Sequence, residues 1–373
     1  MGGIIDASGP RRIALAHDWL VGLRGGERVL DRLARLYGPT TLYTLVDDRR
    51  GVTPAIDACR VVASPLQTLP AAAGRLRRYY LPLMPWAVGR LAVEPCDLLI
   101  STSSAVMKSI IPPPGVPHVC YCHTPPRYVW EQGRDYAEGA GGRVRAAGLG
   151  LVRRRFQRWD RATAERVTHF LANSRHTAER IARCYGREAE VVYPPVRTTY
   201  FTSDPAIERE DFLLVVAALE PYKRTDLVVD AANRAAVPLK VVGDGTQRAD
   251  LESRAGPTVE VLGRVDDEAL RGLYRRARAL VFPQEEDFGI IAAEAQAAGC
   301  PVIAHRAGGA LEIVSDETGV FFDERTVEAL VDAIREMERA PRDPAACTAR
   351  AQRFSEAAFD STIQAVVDRV LSG

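Results

Sequence analysis

Short runs of consecutive apolar residues alternate along this chain with stretches whose apolar positions recur every third or fourth residue. Residues 13–17 predict a buried strand, and residues 27–37 predict a helix carrying Val29, Leu30, Leu33 and Leu36 on one side. Residues 98–102 and 116–122 predict further strands. Residues 143–167 place Leu149, Val152, Phe156, Trp159 and Thr163 at helical spacing, with Arg153, Arg154, Arg155, Arg158 and Arg161 between them. Residues 170–173 are strand-like again, and Ser174 supplies a cap for a helix through Cys184.

Tyr193-Pro194-Pro195-Val196 interrupts the pattern and marks a hinge. The alternation then restarts, with strands over 212–218, 239–242, 259–262, 279–283 and 301–304. Helices are predicted between them over 225–235, 247–255, 266–276 and 290–298. The last helix, about 356–371, offers Phe359, Ile363, Val366, Val367 and Val370 for docking. Strands alternating with helices mean parallel sheets covered on both faces. A length of 373 residues exceeds what one core usually serves. The expected organisation is a disordered lead-in over 1–12, an α/β domain over 13–195, a second over 196–354, and a terminal helix over 355–373. The two doubly wound halves are expected to face a central cleft.

Composition changes this picture little: 47% hydrophobic and 26% charged residues are ordinary for a folded protein. The longest clean apolar run, residues 212–219, is too short for a membrane helix, and no leader with a charged, then apolar, then small-residue order is visible. Met1-Gly2-Gly3 is followed by Asp6 where a myristoylation signal wants Ser or Thr. The seven cysteines include no CxxC pair, so reduced thiols in a cytoplasmic protein are expected. Charge is more informative. Residues 1–195 carry 28 Lys+Arg against 17 Asp+Glu, whereas residues 196–373 carry 21 against 31. Such a split predicts that the first half meets something anionic.

Ligands of open α/β sheets sit beyond the carboxyl ends of the strands, where turns lead into helix N-termini. One such place is Phe282-Pro283-Gln284-Glu285-Glu286-Asp287-Phe288-Gly289-Ile290, continuing to Glu294. The amides of Phe288, Gly289 and Ile290 fall at a helix start and suit a diphosphate. Glu294, one turn further, suits sugar hydroxyls, and Glu286 lies near a reacting sugar. Acids at a helix start also simply favour its dipole, and three neighbouring acids would repel a diphosphate unless cations stand nearby. Lys223 and Arg224, after the strand 212–218, supply them, although a Lys-Arg pair at a turn also suits plain solvated surface. In the first half, His17-Asp18-Trp19-Leu20 ends a strand, Gly25-Gly26-Glu27 opens a helix, and His123 follows the strand 116–122. Gly308-Gly309 with Glu312 repeats this pattern after residues 301–304. Val242-Gly243-Asp244-Gly245 looks like a dinucleotide fingerprint, but Arg248 replaces its third glycine. Asp266-Asp267-Glu268 reads as a helix start, and no metal site is predicted.

Together these residues resemble the family 4 retaining glycosyltransferases of GT-B fold. The most specific element is the Glu-x7-Glu motif from Glu286 to Glu294, with Phe288-Gly289 inside it. Val242-Gly243-Asp244-Gly245, Leu262-Gly263-Arg264-Val265, Pro301-Val302-Ile303-Ala304, Ala172-Asn173-Ser174 and Tyr193-Pro194-Pro195-Val196 support it. Cys120-Tyr121-Cys122-His123-Thr124-Pro125-Pro126-Arg127-Tyr128-Val129-Trp130 is similar to a bacterial branch containing O-antigen and exopolysaccharide mannosyltransferases. The resemblance implies that Glu286 contacts the transferred sugar and Glu294 the ribose, with Arg264, Val265 and Gly243 toward the nucleoside. It places Lys223 on the diphosphate, helped by Arg224 and the Asp287–Ile290 loop, and adds Gly25 and Gly26 there and His123 at the sugar. Many members carry Arg where this chain has Ala218.

The implied activity is retaining transfer from a nucleoside diphosphate sugar, GDP-mannose for preference, with no tightly bound cofactor. The implied acceptor is a glycan or a polyprenyl-diphosphate-linked oligosaccharide. Arg75, Arg77, Arg78, Tyr79, Tyr80 and Trp86 suit peripheral contact with an anionic membrane from the cytoplasmic side, and equally a solvated helix. No nucleic-acid partner is implied. A nucleotide-sugar 2-epimerase and a non-catalytic nucleotide-sugar-binding subunit are the alternatives, and the broken fingerprint at Arg248 makes a nicotinamide oxidoreductase the weakest.

Overall fold

The computed structural model describes residues 11–23, 25–50, 52–74, 77–130 and 143–372, with the side chains of 77, 78 and 143–151 left out. Most of the expected lead-in, residues 1–10, therefore lies outside the described residues, as do Arg75 and the side chains of Arg77, Arg78 and Leu149. The chain divides into two compact units. One runs to Val192 and resumes at Asp360, and the other is Tyr193–Phe359.

The first unit holds seven strands: β1 (Ile13–Leu20), β2 (Thr41–Asp47), β3 (Arg60–Ala63), β4 (Leu98–Ser103), β5 (His118–Cys122), β6 (His169–Ala172) and β7 (Glu190–Val191). Their order is β3-β2-β1-β4-β5-β6-β7, with every pairing parallel. The chain winds outward from β1 to β3, then returns to β4 on the other side of β1. A sheet wound this way leaves a crevice beyond the carboxyl ends of the two strands where the direction reverses. Ile13 pairs with Leu98 and His17 with Thr102.

The second unit repeats the plan with β8 (Leu213–Val216), β9 (Leu239–Val242), β10 (Val259–Gly263), β11 (Ala279–Phe282), β12 (Val302–His305) and β13 (Gly319–Phe322). The order is β10-β9-β8-β11-β12-β13, again all parallel, so its reversal lies between β8 and β11. Alternate residues of each strand feed opposite faces. Leu214, Leu280, Phe282, Val302 and Ala304 pack with Ala292, Ala293 and Phe288, whereas Leu213, Val215, Ala279, Val281 and Ile303 pack with the helices Thr225–Ala235 and Val327–Arg339. Both faces being covered explains why these strands read as unbroken apolar runs. This is the expected α/β class, two doubly wound parallel sheets.

Differences from the sequence reading have local causes. The strand expected over 212–218 closes at Val216: Ala217 N–H donates to the carbonyl of Val242, the last residue of β9, and Leu219 N–H to that of Asp244 in the loop beyond it. The strand expected from 116 starts at His118, after Pro117, which has no N–H to give a ladder. β2 was missed because Thr41, Thr44 and Asp47 break its apolar run, yet Thr44 is fully buried. The last helix, Glu356–Ser372, buries Phe359, Ile363, Val366 and Val367. From Asp360 onward it belongs with the first unit, where Arg32 Nε donates to Asp360 over 2.6 Å and Arg369 reaches Glu190 over 3.1 Å.

Candidate functional site

In the second unit the chemistry gathers at the reversal point. β8 leads through Ala218 into a short turn, Pro221–Lys223, and Arg224 in a left-handed conformation redirects the chain into the helix Thr225–Ala235. β11, its neighbour in the sheet, exits through Pro283 and the acidic loop into the helix Ile290–Ala297. The two exits bring Lys223 and Glu286 together: Nζ donates to Oε1. Gln284, 2% exposed, donates its Nε2 to the same oxygen over 3.1 Å. Arg224 turns instead to Asp226, 3.3 Å away.

The loop carrying Glu286 is held by backbone as well. Gly309 N–H donates to the Glu286 carbonyl over 2.8 Å. A Cβ on Gly308 would lie 2.4 Å from that carbonyl oxygen, and one on Gly309 2.2 Å from the carbonyl of Phe288. No residue but glycine fits so close to backbone, so the Gly308-Gly309 pair is the wall against which the acidic loop is built. Phe288 turns its ring into the core against Phe354 and Tyr193, leaving only its backbone for a ligand. Gly289 has a φ of 106°, and a Cβ there would meet Phe282 at 2.9 Å. That conformation aims the start of the helix Ile290–Ala297, whose first amides have no partner within the helix. A Glu285–Arg325 pair at 3.3 Å takes up one of the three neighbouring acids.

Glu294 is buried one turn into that helix. Its charge acts on Arg197, a residue the sequence reading overlooked. Burial alone lowers the Arg197 pKa, but its bond to Asp267 (2.7 Å) and the charges of Glu294 and Asp267 outweigh this and raise it. Arg264 is exposed, 3.6 Å from Asp244, and Val265 packs on the core. Gly243 has a φ of 138°, and its Cβ would fall 1.8 Å from the Ala217 carbonyl oxygen. Close packing of the β8 and β9 exits thus accounts for the glycines that imitate a dinucleotide fingerprint.

In the first unit, Gly25 and Gly26 open the helix Gly25–Tyr37. A Cβ on Gly26 would stand 3.4 Å from His123 Nε2 and 3.5 Å from His17 Cε1, so the glycine turn lies between two imidazoles. His17 is buried, with Nδ1 2.6 Å from Thr102 Oγ1 and Nε2 3.9 Å from Glu27. His123 is fixed through its carbonyl, which accepts from Asn173 Nδ2 (3.0 Å) and Thr177 Oγ1 (3.4 Å). Sequence reading named His123 and the glycines but gave His17 no role. The parallel register that pairs His17 with Thr102 is a long-range fact without a local signal. Among the described residues no group of His, Cys, Asp and Glu is arranged to hold a metal ion. All seven cysteines are free, Cys96 and Cys184 being only partly buried.

Comparison with known proteins adds to this geometry. Residues 24–200 match the family model described as Glycosyltransferase Family 4, and residues 196–355 the one described as Glycosyl transferases group 1. The chain is 29% identical over 203 residues to a D-inositol 3-phosphate glycosyltransferase of Mycobacteroides abscessus, covering 48% of this chain and 46% of that protein. It is 29% identical over 187 residues to a GDP-mannose-dependent alpha-mannosyltransferase of Mycolicibacterium smegmatis, covering 47% and 50%. The chain spans about a third to a half of the length of the curated relatives it matches. Among solved structures, HepE of Anabaena in complex with UDP and glucose superimposes with a TM-score of 0.69 over 96% of this chain and 99% of that one. At 17% identity that likeness is one of fold.

Proposed function

The chain belongs to glycosyltransferase family 4, with a group 1 glycosyltransferase domain as its second half, and from this premise we propose that it moves a sugar from a nucleoside diphosphate to a glycan hydroxyl with retention of configuration. The observation that carries the reading is the Lys223–Glu286 pair beside the helix start at Ile290, on the exits of two adjacent parallel strands. A cation and free helix amides suit a departing diphosphate, and a carboxylate next to them suits the positive charge that builds at the anomeric carbon.

In this reading Lys223, Arg224 and the Asp287–Ile290 loop take the diphosphate, and Glu294, Arg264, Val265 and Gly243 take the nucleoside. The family resemblance makes Gly25 and Gly26 the proposed diphosphate residues, and His123 the proposed sugar residue, of the first unit. The anomeric carbon–phosphate oxygen bond breaks while the acceptor oxygen bonds to the same face of that carbon. The acceptor's proton passes to a phosphate oxygen, so no side chain acts as covalent nucleophile. Glu286 orients the sugar and offsets its charge. GDP-mannose is the proposed donor, supported by the mannosyltransferase relative and by the wording around His123. The proposed acceptor is a polyprenyl-diphosphate-linked oligosaccharide, met at an anionic bilayer through the face bearing Tyr79, Leu83 and Trp86.

A thermal-shift panel of GDP-mannose, UDP-glucose and other nucleotide sugars identifies the donor, and release of nucleoside diphosphate then measures turnover. Glu286→Ala is expected to cut turnover about a hundredfold or more, with a melting temperature within a few degrees of wild type. Turnover near the wild-type rate in that variant would show the carboxylate to be a bystander. Epimerised sugar from donor alone would favour the 2-epimerase.

A further inference from the structure

Glu286 has two oxygens, and the structure treats them differently. Oε1 accepts from Lys223 Nζ and from Gln284 Nε2, whereas among the described residues nothing donates to Oε2. The two donors also differ in kind. Lys223 is a charged group on a flexible stem, near the surface, and a diphosphate competes directly for it. Gln284 is neutral, 2% exposed, and lies just past Pro283 at the exit of β11, so its amide is enclosed by protein rather than by solvent. With the Glu286 carbonyl tied to Gly309 and its loop pressed on Gly308, the one remaining freedom of this residue is rotation of its side chain.

We propose that Gln284 is a positioning residue: its buried amide holds Oε1 of Glu286 after Lys223 has left for the donor diphosphate, and so keeps Oε2 turned outward for the sugar. This rests on the reading of Glu286 as the sugar-side carboxylate. A fixed carboxylate acts on the developing charge without first having to reorient. The bond from Gln284 is therefore felt most in the transition state, and kcat carries its loss more than the donor KM.

Four proteins test this: wild type, Gln284→Met, Gln284→Glu and Glu286→Gln, assayed for nucleoside diphosphate release from GDP-mannose and UDP-glucose. Gln284→Met keeps the length of the side chain and removes the donor. It is expected to lower kcat about tenfold to a hundredfold, with donor KM within about threefold and melting temperature nearly unchanged. Gln284→Glu donates only when protonated. Beside Glu286, with Lys223 the nearest cation and Arg325 already held by Glu285, its pKa is raised, and activity relative to wild type climbs as pH falls from about 8 to about 5. A role in packing alone moves neither the kcat-to-KM split nor that profile. Wild-type kcat in Gln284→Met, with Glu286→Gln inactive, overturns the positioning role and leaves the carboxylate standing. An active Glu286→Gln removes both. If wild type turns over neither donor, the side-chain amides of ¹⁵N-glutamine-labelled protein decide. The Gln284 pair, recognised by its loss in Gln284→Met, moves in Glu286→Gln if the bond exists, and an unmoved pair rejects it.

Discussion

His118 opens β5 with its ring fully enclosed and Nε2 2.7 Å from Ser101 Oγ. Burial, with the Lys108 charge adding to it, pushes its pKa down to about 3. An unfolded chain protonates this histidine below about 6.5, whereas the folded one resists until about 3. Between those values the unfolded state binds more protons, so stability is lost as pH is lowered, by up to about 1.4 kcal/mol per pH unit. Urea unfolding from pH 7 to 4.5 should show a steeper loss for wild type than for His118→Gln, and equal slopes would reject the assignment. The same contrast separates what single residues disclosed in the sequence from what they did not. Lys223 and Glu286 were legible because each is a charge at a strand exit. His17 and Arg197 were not, because their partners come from other turns and strands, and Gln284 was not, because a neutral amide two residues from its partner carries no pattern of its own.

Asp18 shows how an element, rather than a residue, is secured. It lies near the end of β1, and the turn after β4 folds over it: Ser104 and Ala105 N–H donate to Oδ2 at 2.6 and 2.9 Å, Val106 and Met107 N–H to Oδ1 at 3.0 and 2.9 Å. Four amides on one buried carboxylate lock the exits of two central strands, the edge where His17 meets Thr102. Asp18→Asn replaces one acceptor by an N–H facing two of those amides. Each buried bond to a charged group is worth about 1.5–3 kcal/mol, so a loss of at least about 2 kcal/mol is expected, a fall in melting temperature of roughly 5 °C. An unchanged midpoint would show that the turn holds without it. At this scale the apolar runs made most strands legible, since both sheets are covered on two faces. The exits were less so. The glycines at 243 and 245 imitate a ligand loop in sequence, yet a Cβ on either would strike the carbonyl of Ala217 or Leu219, and only the paired backbone reveals that.

At the scale of the molecule the two halves differ in charge, and the first half also shows an apolar face. Tyr79, Leu83 and Trp86 are 63%, 44% and 50% exposed, at spacings of four and three along the consecutive helical turns Arg77–Leu83 and Met84–Val88. The opposite side of this segment, Met84, Ala87 and Val88, is packed in the core together with Phe156 of the helix Arg143–Thr163. Arg154, Arg155 and Arg158 are exposed on that helix, and the Arg90 guanidinium lies 5.9 Å from the Trp86 ring. No described helix is long and apolar enough to cross a membrane. Aromatic rings flanked by arginines instead suit the interface of an anionic bilayer, where each cation near the surface adds about 1 kcal/mol. The surface potential fades within a Debye length, so the apolar and electrostatic contributions can be separated. Binding to vesicles containing phosphatidylglycerol should exceed binding to phosphatidylcholine alone and weaken as salt is raised. Trp86→Ser with Leu83→Ser should lower it further at every salt concentration, about tenfold for the pair given the area each side chain exposes, while release of nucleoside diphosphate from a free donor stays at the wild-type rate. Trp86 emission should shift to the blue as its ring leaves water. Sedimentation indifferent to anionic lipid, or a double variant that binds as tightly as wild type, would show that this face is not a membrane contact. The excess of positive charge would then be a property of solvated helices.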